Sequence, residues 1–478
     1  FQSTVVIMAK AVTKDKGWFG GLIALWVVAA FLMIHIPSLY LHSDEELSYQ
    51  ATNGTLSDTI AWQTTLHDNQ APLWFVTFNT WRGLVGDAED TSRMLGVLLV
   101  MPALALAYRI GRRAFGSSTA GAIGVLVLTG NHLFFNYALD IRPYPLVMLA
   151  AAFSTWAFQR WTLKDRPRNA IVYGVSMAVL LYTHYLLILL AIAHAIYLVL
   201  AHRLTRARIL HGILAVIVAV VLWLPWLPVA VSHVNFLRTI EGESGTARGI
   251  AGIGVSTQAT TPETIGKLID AATNGLWIVY AAVLGVGALI HRRRGIWLTL
   301  TWAIATPVLY LTANLIAAVY APRFVSHALI GLGIATGGAL VAIASRTRYR
   351  LGSATVWLLA IILVALNLGT FDSQPTIPPR VPYRDVYAEM NRQSRAGDVV
   401  LFYQAGENDP QVDWLVEHYL SADLADSITT DTTAAGEGRR VWFITRDWFG
   451  EGVQDAFRAL ERTHPLQSVI GQCDRAWC

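Results

Sequence analysis

One apolar run follows another along this chain, each close to the roughly 20 residues a helix needs to cross the hydrocarbon of a bilayer. They occupy 18–41, 91–108, 117–139, 143–158, 209–231, 271–290, 295–320, 324–345 and 351–371. A chain that is 54% hydrophobic and only 14% charged cannot hide that much apolar side chain in a soluble core. The pattern predicts a mainly α, polytopic membrane helical protein. The formal charge of +4 does not point to nucleic acid, because the basic residues fall in short clusters between oily runs rather than along one face.

The stretch 169–201 sets the parity. Its only groups titrating near neutral pH are His184 and His194. As one helix it would be about 50 Å long, against a core of roughly 30 Å. Arg160, Lys164, Arg166 and Arg168 precede it, and Arg203, Arg206 and Arg208 follow it. Positive loops stay inside, so the stretch crosses twice and turns near "YTHYL". That predicts about eleven spans, N-terminus inside and C-terminus outside. Five inner loops (109–116, 160–168, 202–208, 291–294, 346–350) then hold sixteen Lys or Arg and one acid, Asp165, whereas 42–92 holds eight acids and one base, Arg82. The lysine and arginine asymmetry supports the orientation.

The larger polar segments fall outside. In the outer loop 42–92, the stretch "APLWFVTFNTWRGLVG" (71–86) is too short to span, and Trp74, Phe78 and Trp81 share one helical face, as in a helix lying in the interface. A second outer loop, 232–270, contains the glycine-rich "EGESGTARGIAGIG". From residue 372 a proline-rich linker leads into helix-like "VPYRDVYAEMNRQ", strand-like "DVVLFYQ", helix-like "VDWLVEHYL", strand-like "RRVWFITR" and helix-like "GVQDAFRALERT". The expected domains are therefore 1–17, read as a tag remnant ("FQS") and cytoplasmic N-terminus; 18–371, the transmembrane domain; and 372–478, a small α/β extracytoplasmic domain. Cys473 and Cys478 belong to no metal-ligand cluster and could pair in an oxidising compartment.

Polar residues gather at the outer boundaries. Asp44 and Glu45 follow the first run; with Ser43 as cap they suit a helix start, yet ionisable groups at membrane depth are costly and signal function. His67 and Asp68 precede the interfacial helix, where Asp68 or Asn69 could equally cap it. Asp140, Arg142 and Tyr144 share the short turn "LDIRPYPL", as a structural ion pair or as a phosphate clamp. His184 and Tyr185 mark the turn within 169–201. Arg323 is the only charge between Arg294 and Arg346 and requires an anion, with His327 just beyond it. His35, His194 and His211 read as helix-to-helix hydrogen-bond partners. Carboxylates that can take a proton from a hydroxyl, facing cations that can hold a departing phosphate, suit transfer of a sugar from a lipid phosphate.

In their order and sidedness, these motifs resemble the GT-C glycosyltransferases: an acidic pair after the first span, a His-Asp and Pro-Leu-aromatic segment, the inner turn "GRRAFG", the turn "IRPYPL" and a late outer arginine. Within that class the chain is similar to the group of protein O-mannosyltransferases and the lipid A aminoarabinose transferase, over most of 18–371. The resemblance implies a polyprenyl-phosphate sugar donor; an acceptor hydroxyl on an envelope glycan, lipid or protein; and a site on the extracytoplasmic face of the inner membrane. Asp44 would be the catalytic base, with Glu45 orienting it or the acceptor. Arg142, Tyr144 and Arg323 would contact the donor, and His67, Asp68, His184 and Tyr185 are the further candidates for binding the donor phosphate or substrate. Some relatives hold a divalent metal near the acidic residue, so the resemblance makes a divalent metal a candidate cofactor. The usual paired prolines are reduced to Ala71 and Pro72. One base opposite a departing phosphate implies a single displacement with inversion. A transporter or flippase of a lipid-linked substrate is the rival from another class, but the chain shows no internal repeat and its charges crowd one face. A scaffold for envelope enzymes would leave the charges without a common purpose.

Overall fold

The computed structural model describes residues 17–65, 70–244, 260–290, 294–315, 321–346, 349–371, 383–403, 418–429, 440–445, 457–458, 460–462 and 464. The chain is mainly helical and divides into two compact units: Phe1–Pro37 with Gly54–Thr376, and Ser38–Asn53 with Ile377–Cys478. His67, Asp68, Cys473 and Cys478 lie outside the described residues.

The first unit begins with α1 (Gly17–His35). The second unit takes the next helix, α2 (Ser43–Ala51), and the first resumes with α3 (Leu56–Thr64), α4 (Leu73–Val85) and the 27-residue α5 (Glu89–Phe115). After α6 (Ser118–Leu126) and α7 (His132–Ala138) come α8 (Tyr144–Leu163), α9 (Pro167–Thr183), α10 (Ile188–Ala201), α11 (Arg206–Trp223) and α12 (Leu227–Ser244). The unit closes with α13 (Pro262–Thr273), α14 (Trp277–Ile290), α15 (Arg294–Leu300), α16 (Thr306–Asn314), α17 (Ala328–Ala344) and α18 (Tyr349–Gly369).

Among the described residues, four helices are long and apolar enough to cross a membrane, or five when the pair α13 and α14, bent by 77°, counts as one. Several expected runs prove to be broken helices. The 117–139 run splits at Gly130 (φ 76°), where the Asn131 side chain caps α7 by accepting from Phe134 N at 2.8 Å. The 271–290 run begins earlier and bends at Asn274, which adopts φ 51°. The two breaks satisfy each other: Asn274 donates to the carbonyls of Gly130 (2.7 Å) and Asn367 (3.1 Å) and accepts from His132 N (3.0 Å), while Asn131 donates to Ala272 O (3.0 Å). Backbone groups released in an apolar setting need such partners, so asparagines occupy the breaks.

The stretch 169–201 breaks at His184, in the expected turn. Elsewhere the structure departs from expectation. Helix α12 runs on through His233 to Ser244, where an outer loop from 232 was expected. The aromatic face of α4 turns into protein: Trp74, Phe75 and Phe78 are fully buried and Trp74 stacks on Phe78 at 5.4 Å, because neighbouring apolar surface competes with lipid for those rings. Small residues let α6 and α17 approach closely, to the point that a Cβ on Gly337 would strike the Ala120 carbonyl.

In the second unit, α2 belongs with α19 (Tyr383–Gln393) and a three-stranded parallel sheet of β1 (Val399–Tyr403), β2 (Ile428–Thr429) and β3 (Val441–Thr445) in the order β2-β1-β3. A short helix, α20 (Ala422–Ala425), precedes β2. Strand β2 was not apparent in the sequence because two residues cannot show an alternating pattern. Asp398 anchors the sheet end. Its carboxylate accepts from the Arg440 guanidinium (Nη2, 2.6 Å) and from Trp442 Nε1 (2.9 Å), while Arg440 lies 4.9 Å from the Trp442 ring centre.

Candidate functional site

In the second unit, the acidic segment is a helix start built around His42. The N-cap is His42, not Ser43: its Nδ1 accepts from Asp44 N at 3.3 Å, and the Glu45 carboxylate accepts from His42 N at 3.1 Å, closing a capping box. The expected helix start is present, with one residue's shift in its cap. What the sequence did not reveal is the burial. His42, Glu45 and Glu46 are essentially inaccessible and Asp44 is 6% exposed. Glu46 is as enclosed as its neighbours. Within the same unit, Tyr40 donates to Asp385 at 2.5 Å, Arg384 lies 5.5 Å from the Tyr40 ring centre, and the buried Tyr49 ring lies 6.4 Å from that of His418.

In the first unit, the short turn between α7 and α8 carries Asp140 and Arg142, both 3% exposed, and Tyr144 opens α8 with its ring 5.1 Å from that of Tyr137. Two features hold this turn. Arg93, fully buried on α5, donates from Nη1 to Leu139 O at 2.9 Å, and a Cβ on Gly96 would strike the Ala138 carbonyl, so α5 passes directly against it. The sequence signal for Arg93 was an arginine two residues inside an apolar run, a position costly without a task.

His184, Arg142 and Arg323 come together in this unit. Arg323 sits in a 3-10 turn, Pro322–Val325, with its guanidinium 5.8 Å from the Phe324 ring centre; that ring lies 4.8 Å from His184. Although His184 keeps some surface, its dense surroundings and then the charges of Arg323 and Arg142 push its pKa down to about 4. The imidazole is therefore neutral at neutral pH. Its Nδ1 accepts from Leu186 N at 3.3 Å, which leaves the proton on Nε2. Tyr185 is engaged elsewhere, accepting from Trp226 Nε1 at 2.9 Å and sharing a hydrogen bond with His233 Nδ1 at 3.2 Å. His233 was not singled out in the sequence, where it lay in an expected loop.

Two guanidiniums around a neutral imidazole can hold a dianionic phosphate while an N–H donor completes its coordination. Residues 69–227 match the family model described as dolichyl-phosphate-mannose-protein mannosyltransferase. Among solved structures, ArnT from Cupriavidus metallidurans bound to undecaprenyl phosphate matches with a TM-score of 0.60 and 13% identity, over 97% of each chain. The fold is that of the GT-C glycosyltransferases. The apo state of the same ArnT matches at 0.60 and 15% identity, over 94% of this chain and 95% of that one. The oligosaccharyltransferase of Archaeoglobus fulgidus, in complex with Zn and sulfate, matches at 0.53 and 13% identity over 78% of this chain and 55% of that one. No curated protein sequence matches the chain.

Proposed function

We propose that this GT-C protein moves a sugar from a polyprenyl-phosphate donor to an acceptor hydroxyl of an envelope glycan, lipid or protein, on the extracytoplasmic face of the inner membrane. The observation that carries the reading is the grouping of Arg142 and Arg323 about a neutral His184, in the unit to which the family match belongs. Undecaprenyl phosphate in the ArnT structure, and a dolichol-phosphate in an Archaeoglobus fulgidus oligosaccharyltransferase structure, give the class of lipid such a fold accommodates. The alternation of basic loops supports eleven spans with the C-terminal unit outside. A flippase would need no base, and the fold similarity is to transferases.

In the proposed reaction Asp44 takes the proton of the acceptor hydroxyl, and the oxygen attacks the anomeric carbon. The bond from that carbon to the phosphate oxygen breaks with inversion, and polyprenyl phosphate departs with the electron pair. Arg142 and Arg323 stabilise the charge that grows on the leaving phosphate. Tyr144 and Tyr185 are proposed to contact the donor, as are His67 and Asp68, which lie outside the described residues.

His42 Nε2 and the Glu45 carboxylate lie 3.9 Å apart, an imidazole and a carboxylate of the kind that bind a divalent cation. Coordination through Nε2 would move the imidazole proton to Nδ1 and give up the capping bond from Asp44 N; an ion held in this way would supply Lewis-acid chemistry when bound. Metal content of the purified protein, wild type against His42→Ala, decides whether His42 and Glu45 hold one.

The function is tested with purified protein and a synthetic polyprenyl-phosphate sugar. Asp44→Asn should bind the donor normally and lose turnover by about two orders of magnitude or more. Arg323→Met should raise the donor KM. A folded Asp44→Asn enzyme with normal turnover would overturn the assignment of the base.

A further inference from the structure

Four buried polar groups, two on α16 and two directly after the Arg323 turn, have no hydrogen-bond partner among the described residues: Thr306 Oγ1, Tyr310 Oη, Ser326 Oγ and His327 Nε2, each on a fully inaccessible side chain. Native proteins carry few such orphans, and a group of them asks for an explanation in terms of what they bind. They are not scattered. Thr306 and Tyr310 are one turn apart on the same face of α16. The Tyr310 ring lies 6.4 Å from that of His327, and Ser326, next to His327 in the chain, donates its N–H to Arg323 O at 3.3 Å, closing the 3-10 turn that carries Arg323. Leu268, Tyr310 and Val325 form an apolar cluster packed by Leu186, Leu189 and Phe324, which joins these elements to the His184 turn.

The local backbone is adapted to this arrangement. Between α15 and α16 the helix passes through a π segment, Thr301–Ala305, a wide turn that recurs at functional sites. It carries Trp302, whose Nε1 donates to His327 Nδ1 at 3.0 Å. That bond makes Nδ1 the acceptor, so His327 is fixed as the tautomer with its proton on Nε2, the atom without a partner. A tryptophan holds the imidazole in orientation while its N–H points away.

Resting on the function proposed above, we infer that Thr306, Tyr310, Ser326 and His327 form the subsite for the sugar of the lipid-linked donor, beside the Arg323 that receives its phosphate. The chemistry selects the ligand class. Three hydroxyls that both donate and accept, plus one N–H donor and no carboxylate, match the hydroxyl groups of a neutral sugar rather than a second anion. The subsite reads hydroxyl positions and so determines which sugar is transferred.

The experiment measures binding of sugar-free undecaprenyl phosphate and of synthetic undecaprenyl-phosphate mannose, glucose and arabinose to the full chain in lipid nanodiscs. Tyr310→Phe, Ser326→Ala and His327→Gln should each weaken the best-bound sugar lipid about fivefold to tenfold, the range of one lost hydrogen bond, and leave the sugar-free lipid unchanged. Tyr310→Phe should also leave the melting temperature unchanged or raised, because a group without a partner in the ligand-free protein contributes nothing when removed. Equal weakening for both lipids, or no weakening for either, overturns the subsite. Wild-type protein that binds neither kind of lipid overturns the proposed function itself.

Discussion

The Tyr40 hydroxyl donates to the Asp385 carboxylate at 2.5 Å, joining residues 345 positions apart within one compact unit. Tyr40 stands two residues before the His42 cap, and Asp385 lies in the first turn of α19. The bond is charge-assisted, although Asp385 is 58% exposed and water weakens it. Tyr40→Phe and Asp385→Ala should each speed hydrogen exchange across 42–47 and lower kcat about fivefold to tenfold, with the donor KM unchanged. In a double-mutant cycle the two losses should not add.

Asp44 and Glu45 should separate on substitution. Glu45→Gln keeps an acceptor for His42 N and should leave the melting temperature nearly unchanged, whereas Glu45→Ala opens the capping box and should cost about 1 kcal/mol. Asp44→Asn should affect turnover far more than stability. Calorimetry beside turnover on the same preparations separates the effects.

Asp398 gives the C-terminal unit an acid-sensitive contact. Burial pushes its carboxyl up, but the hydrogen bonds from Arg440, Trp442 and Arg395 N, with the Arg440 charge, outweigh this and hold it below the ordinary carboxylate value. A depressed folded pKa means the stabilisation is complete above the unfolded value of about 3.9 and is lost as pH falls through the folded one. Limited proteolysis at C-terminal sites should accelerate below about pH 4 in the wild type, and Asp398→Asn should already be sensitive at pH 7. Arg440→Met should destabilise the unit by about 2 to 3 kcal/mol, since it leaves a buried carboxylate unpaired.

Asn274 serves both broken helices. Asn274→Gly keeps the positive φ but strands Gly130 O, Asn367 O and His132 N, and should cost roughly 2 to 4 kcal/mol. Asn274→Ala adds backbone strain and should be worse. Thermal unfolding in detergent ranks the two.

Much of the helical frame was legible because a chain in lipid must satisfy its backbone hydrogen bonds within each helix, which makes a span a local property. The break at His184 followed from helix length against bilayer thickness. Arg142 and Arg323 stood out because charge in an apolar run is expensive. The breaks at Gly130 and Asn274 did not stand out, since a single asparagine in an apolar run looks like a surface residue until its partner, far along the chain, is known. The orphan hydroxyls of Thr306 and Ser326 were hidden for a related reason: a serine or threonine hydroxyl in a helix or turn ordinarily bonds to nearby backbone, and Tyr310 was hidden because a tyrosine in an apolar run usually reads as an interfacial ring.

The sequence by itself determined that the chain is a helical membrane protein with acids and cations gathered at helix ends, because hydropathy and charge are summed locally. Only the tertiary structure decided that Glu46 is enclosed, that α2 belongs with the C-terminal unit, and that Trp302 fixes His327. Those outcomes depend on which helix faces pack together, and close packing between segments far apart in the chain leaves no periodic mark in either one.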